Sequence, residues 1–257
     1  MAITHVAYGS GSTTATSPAT PAYPAGLASG DLLVLHTVVR ESAASTTVAT
    51  PSGWDARGVV FGGAGAEGAD TGNARVAVFT KEATGSESGT LSVTASGGTL
   101  SVLAARMSAF RKGSGSWDIA HATATDNAGG AASLSFTYGS DPGLTAGDVA
   151  VVCVGVNTDL YTYSGHALTA SGITEGTVTV HYANSTSTGN DLAYSIISHA
   201  IASGTSSGVP SVAITASGSA ASSPAGASVL LRLREVASGG SSIAVISSHL
   251  GLHSITR

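Results

Sequence analysis

Three spacings in this chain match patterns that carry chemistry in other proteins. Gly63-Ala64-Gly65-Ala66-Glu67-Gly68 fits the GxGxxG of dinucleotide-binding loops, with the strand-like Val59-Val60-Phe61 before it. That chemistry needs the last glycine to open a helix whose first amides hold a pyrophosphate. Here the chain runs on through Asp70-Thr71-Gly72-Asn73 into another strand-like stretch, so a glycine-rich β-turn loop is expected. Gly204-Thr205-Ser206-Ser207-Gly208 fits the GxSxG nucleophile elbow, which requires a strand-to-helix turn followed by an acid and a histidine. His249 and His253 stand four apart, a spacing that on a helix aims two imidazoles at one metal. Gly251 between them disfavours the helix and no acidic third ligand is near, so an extended segment pairing with a neighbouring subunit is the stronger expectation.

The remaining chemically capable residues read mostly as structure. His36, His181 and His199 lie in apolar or alternating runs and are expected to be satisfied core or interface histidines. Asp31 and Asp148 each follow a glycine at the start of a strand, where a carboxylate commonly accepts from the amides of its own turn. Calcium would need a clustered acidic loop, which neither position has. Trp54 and Trp117 each precede an aspartate; an exposed ring could stack on a sugar, a buried one plugs a core, and burial is expected. Trp54, Tyr161 and Tyr163 are nevertheless the candidate glycan contacts. Cys153, the single cysteine, sits in an apolar run as a small buried hydrophobe. Asn184-Ser185-Thr186 fits a glycosylation sequon, idle without secretion. No catalytic residue, cofactor or metal is implied.

The elements that must position these residues come in two sets. Gly30-Asp31-Leu32-Leu33-Val34-Leu35 answers to Gly147-Asp148-Val149-Ala150-Val151-Val152, 117 positions on. Gly72-Asn73 answers to Gly189-Asn190 at the same offset, and Ser52-Gly53 to Ser171-Gly172 at 119. Thr94-Ala95-Ser96-Gly97 answers to Thr215-Ala216-Ser217-Gly218 at 121. An offset that drifts by loop-sized steps is what a duplicated β-unit would show. It also tests the serine motif: the place of Ser206 is taken by Glu87 in Gly85-Ser86-Glu87-Ser88-Gly89, so a glycine-bounded turn explains both copies.

Composition agrees with β-structure. Of 257 residues, 42% are apolar and only 10% charged, a balance that excludes disorder driven by high charge and low hydrophobicity. The net charge of −5 is spread thinly, and the only lysines are Lys81 and Lys112, so nucleic-acid binding is not expected. No apolar run reaches the roughly 20 residues that span a bilayer, and no signal peptide or membrane partner is expected. Strands are predicted over 3–8, 31–39, 75–80, 90–94 and 100–110, then 132–138, 148–156, 177–181, 192–200, 209–215 and 228–236. Continuously apolar runs such as Leu32 to Val39 predict strands covered on both faces. The expected fold is an all-β sandwich, jelly-roll-like, in two pseudo-repeated halves of about six to seven strands each. Residues 1–114 form the first, 115–236 the second (able to pack as one domain with it), and 237–257 a linker and C-terminal tail.

The order Gly30-Asp31-Leu32-Leu33-Val34, Thr50-Pro51-Ser52-Gly53-Trp54, Val76 to Lys81, Gly89 to Val93 and Arg111-Lys112-Gly113 resembles minor structural proteins of tailed bacteriophages, decorating heads or associated with tails. The resemblance covers most of residues 1–236 and implies a non-enzymatic virion component in a multi-copy assembly, made in the host cytoplasm. Its partners would be other copies of itself and other virion proteins. The tail has no counterpart in the repeat, and Ile243, Val245, Ile246, Leu250, Leu252 and Ile255 are the expected subunit-interface residues. The alternative is a carbohydrate- or receptor-binding module at a tail tip or on a bacterial surface, with a host surface glycan as partner.

Overall fold

The computed structural model describes residues 2–41, 46–62, 66–67, 70–71, 73–98, 100–127, 133–158, 163–189, 191–216 and 226–237. Every regular element among them is a strand. The first half contributes β1 (Thr4–Tyr8), β2 (Ser12–Thr14), β3 (Leu32–Glu41), β4 (Thr47–Val48), β5 (Asp55–Gly62), β6 (Ala66–Glu67), β7 (Asp70–Thr71), β8 (Asn73–Glu82), β9 (Ala95–Ser96) and β10 (Leu100–Arg111). The second contributes β11 (Ser116–Asp126), β12 (Ser133–Thr137), β13 (Val149–Val156), β14 (Tyr163–Thr169), β15 (Ile173–Thr186), β16 (Leu192–Gly204), β17 (Ser211–Ala216) and β18 (Gly226–Val236).

One large antiparallel sheet runs β1-β10-β3-β8-β5, with β2 also on β10; the other runs β11-β18-β13-β16-β15. Counted along each half with the short β6–β7 pair set aside, the two orders correspond strand for strand. A three-stranded sheet, β12-β17-β14, covers the outer face of the second. Over the first, the chain makes a broken version of that cover: Ala19 bridges Val93, Ala22 bridges Thr90, and β4 pairs β9. The strand predicted over 90–94 is therefore two isolated bridges, because Pro18, Pro21 and Pro24 leave its partner segment few amides to donate.

Three apolar clusters fill the layers. Val34, Val38, Val76 and Val78 of the first sheet meet Val151, Cys153, Val229 and Leu231 of the second in a core shared by both halves. On the outer face of the first sheet, Leu33, Leu35, Phe79 and Met107 lie under Ala19 and Val93, with Tyr23 and Leu27 against them. Val152, Val154, Ile197 and Leu230 pack on Leu134, Phe136, Val212 and Ile214 of the small sheet. This explains the two sequence periods. β12 alternates buried Leu134 and Phe136 with exposed neighbours, whereas β13 is buried at every position because both its faces are covered.

Where the large sheets meet, space is short. A Cβ on Gly155 would lie 2.7 Å from Val38 Cγ1 and 2.8 Å from Val76 Cγ2. The glycine therefore lets the two central strands approach. The sheets face each other in opposite order, so β5 lies over β11 and β18, and β1 lies beside β15.

Candidate functional site

The Gly-Asp turns carry a duplicated ion pair. At Gly30 (φ 87°) and Gly147 (φ 90°) the chain adopts a left-handed conformation that glycine takes at little cost. Asp31 accepts from the Ala28 amide at 2.8 Å and from Arg111 Nε and Nη2, both at 2.7 Å. Asp148 accepts from the Thr145 amide at 2.7 Å, Arg234 Nε at 2.8 Å and Arg234 Nη2 at 2.7 Å. Burial alone would raise the Asp31 carboxyl; the Arg111 fork and the Ala28 amide outweigh it and hold it below its ordinary value. Sequence reasoning placed the carboxylates on their turns and missed the arginines. The signal was present, since Arg111 and Arg234 each lie near the end of the last strand of their half.

Between the two turns runs the connection from β10 to β11. Glu235 gathers its amides, accepting from Gly113 at 3.0 Å, Ser114 at 2.6 Å and Gly115 at 2.8 Å. Bonds from Ser114, Gly115 and Gly113 hold its carboxyl at about 2. The serine of the GxSxG motif is similarly engaged: Ser206 Oγ donates to Asp141 Oδ1 at 2.8 Å and lies 2.9 Å from Oδ2. Glu87 accepts from the Thr84 amide at 2.9 Å and pairs with Lys81 at 3.2 Å. Both residues close turns, and the Ser206 hydroxyl is directed at the Asp141 carboxylate and not at a histidine.

Two clefts open where the halves meet, at corresponding places. In β5 the register shifts between Ala56 and Gly58, and in β15 between Val180 and Tyr182. The extra residue of each bulge, Arg57 or His181, turns toward the seam and hydrogen-bonds a hydroxyl on the next strand. Arg57 Nε donates to Thr80 Oγ1 at 2.7 Å; His181 Nε2 and Ser198 Oγ are 2.8 Å apart. The β5–β11 cleft, about 260 Å³, is lined by Asp55, Arg57, Lys81, Glu82, Trp117 and Asp118 among others. Its charges are paired: Arg57 with Asp55 at 3.0 Å, Arg232 with Asp118 at 2.6 Å, and Lys112 with Glu82 at 3.6 Å.

The β1–β15 cleft, about 280 Å³, is lined by Ile3, His5, Phe110, Val149, Thr177, Thr179, His181, Ser198 and Ala200, with no charged side chain. His5 stacks on His181 with centroids 3.8 Å apart, and Phe110 meets both rings edge-on. Further along, the Arg106 guanidinium lies 4.5 Å from the Tyr8 ring centre and 4.6 Å from that of Tyr182. Tyr182 hydrogen-bonds His36 Nδ1 at 3.1 Å. Burial holds His36 at about 3; burial and then the His5 neighbour hold His181 at about 3; burial also lowers His5. Sequence reasoning treated His36 and His181 separately and missed His5, whose partner lies 176 positions away.

The other candidates are dispersed. Trp54 is only 6% exposed, in the core beneath the first cover, so this proposed glycan contact is corrected: its ring has no free face to offer a sugar. Tyr163 is half-buried and stacks near His166 at 6.3 Å, while Tyr161 lies outside the described residues. His199 Nδ1 and Glu175 Oε1 share a hydrogen bond inside the second half. Trp117 donates to the Gly30 carbonyl at 2.9 Å. Complete burial pushes the Cys153 thiol far up. Ala66–Glu67 pairs with Asp70–Thr71, but the glycines of GxGxxG lie outside the described residues, as do His249, His253 and all six tail candidates. Among the described residues, no group of three His, Cys, Asp or Glu side chains could hold a metal.

These features define an all-β protein built from two similarly ordered sheets. No family model, curated protein or solved structure matches the chain.

Proposed function

We propose that this is a non-enzymatic structural protein of a tailed-phage virion, present in multiple copies on the head or tail. The observation that carries the reading is the winding of each half. Numbering the eight principal segments of a half in chain order, the large sheet runs 1-8-3-6-5 and its cover 2-7-4. Pairing of the first segment with the eighth, and of the second with the seventh, is the pairing that jelly rolls use, an architecture of viral capsid domains, and it supports a jelly-roll-like reading of each half. Two such units fused face to face make a stiff body whose Asp–Arg pairs and capped turns serve the scaffold. The low charge of the chain suits close packing, since few ions need to shed water at a contact.

Assembly contacts are assigned to the tail, with Ile243, Val245, Ile246, Leu250, Leu252 and Ile255 as an added strand on a neighbour's sheet edge. Lectin domains share the jelly-roll winding, so glycan binding stands as the second reading, without Trp54 as a contact. Mass spectrometry of density-purified particles from the gene's source tests the proposal. Peptides of this chain at tail- or head-protein stoichiometry are expected; finding it only in the soluble lysate overturns it. Residues 1–237 alone should fold yet enter particles poorly, and full incorporation would remove the tail from the assembly role.

A further inference from the structure

The two seams between the halves differ in how they meet acid. Around His5 and His181 stand Tyr8 on β1, Phe110 on β10, Thr177 and Thr179 on β15 and Ser198 on β16, and beyond Tyr8 come Tyr182 on β15, Arg106 on β10 and His36 on β3. Among the described residues no carboxylate lines the cleft, and the cation of Arg106 lies beyond Tyr8. A proton added to either ring therefore meets its stacked neighbour at 3.8 Å, with no anion to receive it. His5 Nε2 and His36 Nε2 are buried with no hydrogen-bond partner among the described residues. Both rings gain solvation if the seam parts. Across the molecule, the β5–β11 seam packs Val60 on the shared core and its ion pairs lie within the sheets. His121 of β11, its pKa lowered by partial burial and then by the Arg57 cation, is exposed to water there, and the β10–β11 connection is held by Glu235.

We propose that the β1–β15 seam is an acid-operated latch: protonating His5 and His181 parts the halves along that edge, while the β5–β11 seam and the Glu235-held connection stay closed. The molecule would open about one side, exposing the aromatic cluster and then the shared core.

The sign follows from linkage. Both histidines bind protons less readily in the closed seam than in the open one, where the ordinary value of 6.5 applies. Closure is thus fully stabilised above 6.5 and weakens as pH falls toward the closed-state value of about 3 for His181. The open population grows about tenfold per pH unit below 6.5 for one such ring. At pH 4.5 the spine persists, because Glu235 and Glu87 are held at about 2.

Hydroxyl-radical footprinting of the full chain at pH 7.5 and 4.5 tests this. Labelling of Tyr182, Tyr194 and Phe110 should rise at least tenfold at pH 4.5, with Trp117 and Val60 unchanged and the far-ultraviolet β-signal retained. His5→Phe with His181→Phe keeps ring packing, leaves His36 as the remaining buried imidazole of the cluster, and should reduce the rise severalfold. Unchanged labelling of the wild-type rings, parallel labelling of Trp117, or a double variant that opens like the wild type each overturns the latch. Should the double variant not fold, the wild-type contrast between the two seams decides alone.

Discussion

The β1–β15 and β5–β11 seams occupy corresponding places in one sandwich, yet are filled by opposite chemistries. Each has a bulged residue aimed at a hydroxyl, Arg57 to Thr80 in one and His181 to Ser198 in the other. Beside Arg57, Gly58 brings the backbone within reach of Val229, where a Cβ would lie 3.0 Å from Cγ1. Beside His181, Tyr182 fills the space with a ring packed between Tyr8 and Tyr194. The backbone frame fixes where a side chain points; its identity decides whether the seam is lined by paired charges or by neutral rings. A proton taken up in acid meets water beside exposed His121 at the first seam and a stacked, buried neighbour at the second.

The turn pairs permit the most forceful test of how similar the halves are. Asp148→Ala removes the carboxylate that takes Arg234 Nε and Nη2 and the acceptor of the Thr145 amide. It leaves Arg234 the Gly143 carbonyl, Thr145 Oγ1 and the more distant Asp118, and should cost about 3 kcal/mol, typical of breaking a buried pair. Asp31→Ala should cost less, because Arg111 is 44% exposed against 27% for Arg234 and water can replace the lost carboxylate. Urea denaturation of both variants checks the order, and an equal or reversed pair of losses would break the comparison.

A second test lies where the sheets touch. Val38 and Gly155 occupy corresponding positions, 117 residues apart, and the absent Cβ of Gly155 would strike Val38 itself. Gly155→Val should therefore cost about 2 kcal/mol through overpacking. Adding Val38→Gly should return part of that loss, since one site needs a side chain and the other needs none. If the double variant is no more stable than Gly155→Val alone, the contact is not the cause.

How far the sequence disclosed this architecture depended on side-chain contrast. Runs such as Leu32 to Val39 and Val149 to Val156 declared their strands because burial on both faces demands continuous apolar residues. β11 escaped, since its large apolar residues, Trp117 and Ile119, stand only near its start and the rest runs on in alanine and threonine around His121, whose polarity differs too little between the two faces to show a period. β14 escaped for a related reason: Gly165 and its bulge interrupt the alternation. The recurring Gly-Asp located both turns, whereas the arginines that complete them, 80 and 86 residues away, follow only from sheet register. The histidine stack was least accessible, because it depends on how two sheets face each other rather than on either sheet's pattern.

The smallest effect concerns the residues that follow the paired arginines, Lys112 and Glu235. Lys112 donates to the Gly30 carbonyl at 2.9 Å, while its counterpart accepts three amides of the connection between the halves. Those amides hold the Glu235 carboxyl at about 2 against an ordinary 4.5, so its contribution is fully present above 4.5 and lost as pH falls toward 2. Glu235→Gln should therefore lower the melting temperature modestly at pH 6, and the gap from wild type should narrow steadily between pH 4.5 and 2. Lys112→Met removes a cation that lowers the Asp31 carboxyl less than Arg111 or the Ala28 amide does, so its gap should narrow far less over that range. A constant gap for Glu235→Gln would mean that the connection is held by its backbone alone. The acid latch would then lack the fixed side about which it opens.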